Sequence, residues 1–505
     1  MRASLISLYD PENNGVRILA DYLRRRGHQA QEVYFKDWKN NGLIWPSAEE
    51  IASLVRCLRE YRAEIIGVSL RASAYLKVFT FVVERLREEL GVPVLVGGGH
   101  ATMAPESLTD VCDYVIRGEA EDPVADLLDR LDAGLPADDL DNVWSCAGGQ
   151  VRRNELRPLR DDLEQISRRD FLHADKVVID GAHISTRDPM LDDTMYLIMA
   201  SRGCPYACSF CNNSKLQRLY HGKGRYWRLR PVDDVIGELV QARPLFRRMR
   251  RVRFDDEVFP LQSEWLDPFA AAYERQVGLP FEILLEPRAF KEAQARRLVA
   301  AGLDTVYMGI QANERISREL YDRDADHDHI VNTARACHEL GIDTRFHVMI
   351  DDPYTTDDDR KRLFDLLNRL PRPFRLYMFS MTVMPGTDLA QKLMDEGLIG
   401  PDDVEGAATK TFKQYRMSLD WDRPDDERFW IAMMVLVNKR LWHPALLQRM
   451  SRSGWLRRHP GLLTRVAAAS NMLSMVGVVP VSIARGELDL RMLRRFWTPG
   501  KWITA

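Results

Sequence analysis

The sequence predicts an α/β protein built from two successive parallel-sheet units followed by a helical region, and three observations predict it. Short apolar runs alternate with amphipathic stretches, this happens in two separate series, and the alternation stops beyond Pro424. The chain has 505 residues, against roughly 150 per ordinary domain, so two or three cores are expected. With 45% hydrophobic residues, 29% charged residues and a net charge of -3, it has the composition of a folded soluble protein, and its bulk charge implies no nucleic-acid partner. The start runs straight into an apolar strand, without the basic region, long apolar stretch and small-residue site of a signal peptide. A cytoplasmic protein is the expectation.

In the first series, strands are predicted at 5–9, 31–35, 64–70, 92–97 and 114–117, separated by helical patterns at 16–26, 48–61 and 78–90. Parallel neighbours need crossover connections, so five strands interleaved with helices indicate a doubly wound sheet over residues 1–135, with ligands at the carboxyl ends of its strands. Residues 136–193 are less periodic, carry Gly148 and Gly149, and read as a connecting segment with one hairpin and little chemistry.

The second series, over 194–400, predicts strands at 195–200, 252–255, 281–285, 305–310, 345–350 and 375–381. Six strands alternating with helices fit a partial (β/α)6 barrel, whose chemistry sits at the C-terminal ends of its strands. In the remaining 401–505, helical patterns at 429–441, 446–450 and 462–469 are joined by Arg-rich turns, and 466–484 carries no formal charge. Ser470, Asn471, Ser474, Gly477, Pro480 and Ser482 dilute that stretch, so a buried or interfacial helix pair is expected in place of a membrane span. Trp430, Trp442, Trp455, Trp497 and Trp502 with interspersed arginines fit helix packing, a cap over a substrate cavity or peripheral contact with a membrane.

Three of the seven cysteines, Cys204, Cys208 and Cys211, stand at Cx3Cx2C spacing just after the first strand of the second series. Seven cysteines so unevenly placed are no disulfide framework. Three clustered thiolates can hold three irons of a four-iron cluster and leave the fourth open to a small-molecule ligand, whereas an electron-transfer cluster uses four protein ligands. The alternatives are a zinc site completed by His221 or another residue and plain buried thiols, the reading given to Cys57, Cys112, Cys146 and Cys337.

The cysteine motif, with Phe210 before its last member and a parallel alternation after it, resembles the radical S-adenosylmethionine (SAM) superfamily. The resemblance implies a [4Fe-4S] cluster on Cys204, Cys208 and Cys211 that chelates SAM. An electron from a donor such as flavodoxin or ferredoxin would cleave SAM to methionine and a 5′-deoxyadenosyl radical, which removes a hydrogen atom from substrate. Asp255, Gln311 and Arg345, in the segments 254–257, 309–313 and 345–347, resemble the family's SAM-contact positions. The chain departs from the family at 350–354, where Asp351, Asp352, Pro353 and Tyr354 stand in place of a strand end with glycine and glutamate.

Gly97, Gly98, Gly99 and His100 follow the fourth strand of the first series, and Gly118 and Glu119 follow the fifth. A wound domain with this loop and turn, followed by the cysteine barrel, resembles the cobalamin-binding subclass of radical SAM enzymes over about residues 1–400. The fold so implied is a five-stranded, flavodoxin-like cobalamin-binding-type domain, a partial (β/α)6 radical SAM barrel and a helical C-terminal region. Gly97, Gly98, Gly99, His100, Glu119 and Ser69 are the candidate contacts to the corrinoid. The first domain has no Asp-x-His-x-x-Gly stretch, so no histidine is assigned to cobalt. The resemblance implies methylation of an unactivated carbon in a small-molecule or peptide substrate. Radical cyclisation or oxidation on the same scaffold, and a non-catalytic corrinoid-binding or redox-sensing protein, are the competing readings.

Overall fold

A computed structural model describes residues 1–37, 44–146, 150–400 and 423–485, except for the side chains of 475–478. Gly148, Gly149, Trp497 and Trp502 lie outside the described residues.

The first sheet contains β1 (Arg2–Leu8), β2 (Gln29–Phe35), β3 (Ile65–Ser69), β4 (Val94–Gly97), β5 (Tyr114–Ile116), β6 (Val143–Ser145), β7 (Lys176–Asp180) and β8 (His183–Ser185). Its order is β6-β5-β4-β3-β1-β2-β7-β8. The five expected strands form the parallel middle in the order 2-1-3-4-5, which reverses direction between β1 and β3. Helices clear both faces there and leave a crevice at the strand ends. Both faces are apolar: Ile6, Val33, Ile66 and Val94 pack on one side, Ala3, Leu5, Ile65 and Leu95 on the other.

The stretch expected as a connecting segment extends this sheet at both edges. β6 pairs antiparallel with β5, and β7 lies parallel to β2 and folds back as a hairpin with β8. A buried network holds the added edge: Arg17 binds Asp188 at 2.8 Å, and Lys176 lies 3.4 Å from the same carboxylate. The expected five-stranded sheet is therefore eight-stranded, because short strands on sheet edges are made by pairing and leave weak periodic traces.

The second sheet runs β9 (Met195–Ile198), β12 (Arg251–Phe254), β13 (Phe281–Leu285), β14 (Leu303–Gln311), β15 (Asp343–Ile350) and β16 (Arg375–Ser380) in sequential parallel order. Between β9 and β12 a two-stranded ribbon forms from β10 (Ser201–Arg202) and β11 (Arg228–Leu229). Val252, Ile283, Met308, Phe346 and Met378 face the helical layer, while Arg253, His347, Tyr377 and Phe379 are half-buried on the other face.

The helix Asp425–Val437 belongs to this same core, buried continuously from Phe429 to Val437, with the Trp430 ring 5.6 Å from Phe364. In place of the expected helix pair, one helix runs Pro460–Ala484. Packing against Asp425–Val437 carries it through Pro480, where one backbone hydrogen bond is lost.

Candidate functional site

The ribbon β10–β11 ends at Gly203, whose φ is +85° and whose absent Cβ would lie 2.3 Å from the Tyr226 carbonyl. Only glycine fits that turn, which delivers Cys204 into a loop tied down at several carbonyls. Gln217 Nε2 donates to the carbonyls of Cys204 (2.9 Å) and Tyr206 (2.8 Å). Ser209 N donates to Tyr321 O at 3.0 Å and Ser209 Oγ to Leu320 O at 2.5 Å. The Phe210 ring meets Tyr321 edge-on at 5.0 Å. Cys211 caps the helix Asn212–Leu219, its Sγ accepting from Asn213 N at 3.5 Å.

Burial pushes the Cys204 thiol up to about 12 and raises Cys208 and Cys211 as well. Soft metal binding displaces such protons. Among the described residues no three His, Cys, Asp or Glu side chains are grouped as one ion requires, and His221 is exposed. His221 is therefore not held at the loop as a fourth ligand. Ligands of a cluster, each on a different iron, are more widely spaced, and three thiols on one braced loop fit that donor set.

The departure at 350–354 supports this loop. Asp352 is buried, accepts from Tyr321 O–H at 2.5 Å and from Tyr354 N at 2.8 Å, and so fixes the tyrosine whose carbonyl holds Ser209. Asp351 pairs with Arg423 at 2.7 Å. Replacing Asp352 by alanine orphans the buried Tyr321 hydroxyl, at a cost of about 1–3 kcal/mol. Asp352→Ala is expected to lower the melting temperature and, after anaerobic reconstitution, the iron retained per chain on gel filtration; unchanged retention would separate Asp352 from the loop.

Between the two sheets lies a cavity of about 380 Å3. Leu5, Gly67, Ser69, Gly97 and Gly98 line it from the first sheet and Gly15 from the first turn of the helix Asn14–Arg25. Met199, Ser201, Arg202, Gly203, Asp255, Asp256 and Glu257 line it from the second. It sits at the reversal point between β1 and β3, at the carboxyl ends of the strands, and touches the turn that enters the cysteine loop. Ser69 and Gly97 are paired in register, and Asn13 Nδ2 donates to Ser69 Oγ at 3.0 Å. Gly98 has φ +106°, and its absent Cβ would lie 2.8 Å from Leu70 O, so a side chain there is excluded. The inner wall, from Leu5, Val16, Ile18, Leu19, Leu95, Ile116 and Val124, is apolar. That crevice suits an apolar group entering the sheet from the strand ends, with polar groups left at the mouth. A cobalamin nucleotide tail has this character.

Two family models match the chain: the B12 binding domain over residues 7–128 and the radical SAM superfamily over 198–367. The chain carries a B12-binding domain followed by a radical SAM domain. An uncharacterised methyltransferase of Pyrococcus horikoshii is 24% identical over 69% of this chain and 73% of its own length. The hopanoid C-3 methylase of Methylococcus capsulatus is also 24% identical, over 74% of this chain and 67% of its own. In fold, the radical SAM methyltransferase TsrM of Kitasatospora setae, solved with cobalamin and a [4Fe-4S] cluster, superposes with a TM-score of 0.64, at 14% identity, over 93% of this chain and 99% of its own.

Within the B12-binding domain, Ser69, Gly97, Gly98 and Glu119 line the cavity, but Gly99 and His100 do not. His100 is buried between Ser73 Oγ (2.7 Å) and Ser107 Oγ (2.9 Å), and burial lowers it to about 4, so it is a neutral ring spent on local bonds. The Gly99 backbone packs against Arg71 O. Glu119 is spent on docking: Arg228 Nη2 lies at 2.5 Å and Arg202 Nη1 at 3.4 Å, both from the radical SAM side. Burial alone would raise the Glu119 carboxyl, but Arg202 and Arg228 hold it below its ordinary value. Arg202 also binds Glu121 at 2.6 Å.

Because its folded value is depressed, the stability that Glu119 contributes is complete above the ordinary carboxylate value of about 4.3 and is lost as pH falls through the lower folded value. Glu119→Gln is expected to cost about 3 kcal/mol near neutral pH, read by thermal unfolding. The gap to wild type should close on acidification, and a gap independent of pH would remove the ion pair as its cause.

In the radical SAM domain, Asp255 lines the cavity and Gln311 ends β14, with φ +67° at a bulge. Arg345 is corrected. It is the third residue of β15, far from the chemical end of the strand, buried against Tyr307 O–H at 2.5 Å and Asp343 at 3.1 Å. An arginine on a strand points by alternation, and the ion-pair partners, invisible in the motif, decide its level. Glu257, in the segment 254–257 already singled out, lines the cavity, whereas Gly15, Arg202 and Gly203 escaped the sequence reading as cavity residues. For Gly15 the signal was present: an Asn-Asn-Gly helix start directly after β1.

Proposed function

We propose that the chain is a cobalamin-dependent radical SAM methyltransferase acting on an unactivated carbon. The observation that carries the reading is the single cavity bounded on one side by Ser69, Gly97 and Gly98 and on the other by Gly203 and Asp255, at the chemical ends of both sheets. The cluster and SAM would supply the 5′-deoxyadenosyl radical there, and the corrinoid would carry the methyl group. Cys204, Cys208 and Cys211 would hold the cluster, Asp255 and Gln311 would face SAM, and the glycine edge would admit the corrinoid.

The protein's own work is positioning and exclusion of water. The Glu119–Arg228 and Glu121–Arg202 pairs hold the two domains at one spacing. Beyond the cavity, the His347 ring lies 5.5 Å from Tyr377 and 5.3 Å from Phe379, all half-buried on the concave face. Burial, then Arg253, lowers His347 to about 4, so its ring is neutral at neutral pH and, with Tyr377 and Phe379, is suited to the apolar part of a small-molecule or peptide substrate. The names of the two relatives, both methylating enzymes, support transfer of a methyl group. An electron donor of the flavodoxin or ferredoxin class and a cytoplasmic setting belong to the same proposal. All seven cysteines are unpaired, as a reducing compartment leaves them.

The test is anaerobic reconstitution with iron, sulfide and cobalamin, followed by incubation with SAM labelled in its methyl group. Production of 5′-deoxyadenosine together with label in a cell-extract product supports the reading. 5′-Deoxyadenosine with an unlabelled, ring-closed or oxidised product would replace methylation by those reactions. Absence of SAM cleavage in the loaded protein would leave only the sensor reading.

A further inference from the structure

The helix Pro460–Ala484 packs Leu463 and Ala467 into the core and also leaves large apolar side chains exposed along its length. Its protein-facing side carries Ser470 and Ser482, both buried, with Trp442 Nε1 donating to Ser470 Oγ at 3.1 Å. Lys439 Nζ reaches Asn471 Oδ1 at 2.8 Å and Ser474 Oγ at 3.1 Å on the same side. Its solvent side presents Leu462, Met472 (72% exposed), Leu473 (65% exposed) and Val481. A helix on a water-facing surface presents polar side chains there. Nor is it a core helix, since only 21% of its most apolar window is buried.

The exposed face continues beyond the helix. The bonds from Lys439 and Trp442 to 470–474 set the intervening turn, with Leu441 at 74% exposure, beside Met472 and Leu473. At the helix start, the exposed Trp455 stacks on His459 at 4.6 Å.

The charge around this face is one-sided. Residues 428–485 contain nine Lys and Arg and no Asp or Glu, in a chain with 71 basic and 74 acidic residues overall. Arg440, Arg449, Arg452, Arg458 and Arg465 are exposed. Apolar side chains flanked by guanidinium groups fit the boundary between acyl chains and anionic headgroups.

Both ends of the helix are tied to the barrel. Leu463 and Ala467 enter its core near the start, and Arg485, just past the end, binds Asp343 of β15 at 3.0 Å. A helix anchored at both ends cannot cross a bilayer and stay docked, so it lies in the plane of the surface.

We propose that the C-terminal helices dock this protein peripherally on an anionic lipid bilayer, with Leu441, Trp455, Leu462, Met472 and Leu473 entering the interface and the arginines meeting lipid phosphates. The surface is separate from the cavity, so the proposal stands independently of methyl transfer.

The test is flotation of the full-length, cluster-loaded protein with two kinds of vesicle, phosphatidylcholine alone and phosphatidylcholine with phosphatidylglycerol. Expected is flotation with the anionic vesicles only, lost on raising salt. Met472→Glu with Leu473→Glu should abolish it. Arg449→Gln with Arg452→Gln should weaken it by about fivefold per arginine, while thermal unfolding and iron content stay at wild-type values. The arginine variant keeps the test decisive should the apolar one misfold. Absence of flotation, equal flotation with neutral vesicles, or self-association removed by Leu473→Glu without vesicle binding would each overturn the proposal. Bound protein that resists alkaline carbonate would overturn its peripheral character.

Discussion

Cys208→Ala protein, reconstituted without oxygen, is expected to retain almost none of the about four irons per chain that the wild type should hold, and to lose SAM cleavage to below detection. Three protein ligands are the minimum for a site with one open iron, and removing one thiol leaves two. Cys204→Ala and Cys211→Ala should behave alike. Cys146→Ala is the control, because Cys146 belongs to the apolar packing of the first sheet and burial pushes its thiol up to about 11. Iron loss in the triad variants but not in the control assigns the cluster to this loop. Iron retained by all three single variants would place it elsewhere.

The second large effect is expected from Gly15→Phe. Gly15 lines the cavity from the first turn of its helix, and a Cβ added there meets only Asn13 Oδ1, at 3.3 Å. A side chain there requires Asn13 to shift by a few tenths of an ångström, and phenylalanine has a better helix propensity than glycine. A phenyl ring in a cavity of about 380 Å3 removes much of the space open to a ligand. Cobalamin affinity should fall at least about tenfold, or about 1.4 kcal/mol, read from the bound corrinoid spectrum, while iron content and SAM cleavage persist. Product methylation should disappear with the cobalamin. Undiminished cobalamin binding would move the corrinoid out of this crevice.

These variants divide along the line between what was legible in the chain and what was not. All eleven strands expected in the two series are present, within a few residues at their ends, because each buries apolar side chains on one or both faces and that burial leaves a run or an alternation in the sequence. The cysteine loop was legible for a different reason. Its ligands are close in sequence, so spacing alone carries the chemistry. That Ser69, Gly97 and Gly98 would stand at a crevice was legible because the strand ends of a parallel sheet could be read.

His100, Glu119 and Arg345 show where such reading stops, although Glu119 also lines the cavity. Each is a polar residue near a predicted strand, and nothing local separates a group facing a cofactor from one satisfied by a neighbour. Ser73 and Ser107 claim His100, Arg228 and Arg202 claim Glu119, and Tyr307 and Asp343 claim Arg345. Arg228 stands more than a hundred residues from Glu119. The short edge strands β6, β7 and β8 were missed likewise, since pairing with strands already formed makes them, more than their own pattern does.

The sequence by itself determined two wound parallel units, a cluster of three cysteines on the second and a glycine edge on the first, because backbone periodicity and close spacing are local properties. Only the tertiary structure decided that the two edges share one cavity, which polar residues are spent in holding them together, and that the last helix leaves large apolar side chains exposed. Those outcomes depend on contacts between distant segments, where the low-dielectric interior makes each buried charge or hydroxyl take the nearest partner the fold supplies.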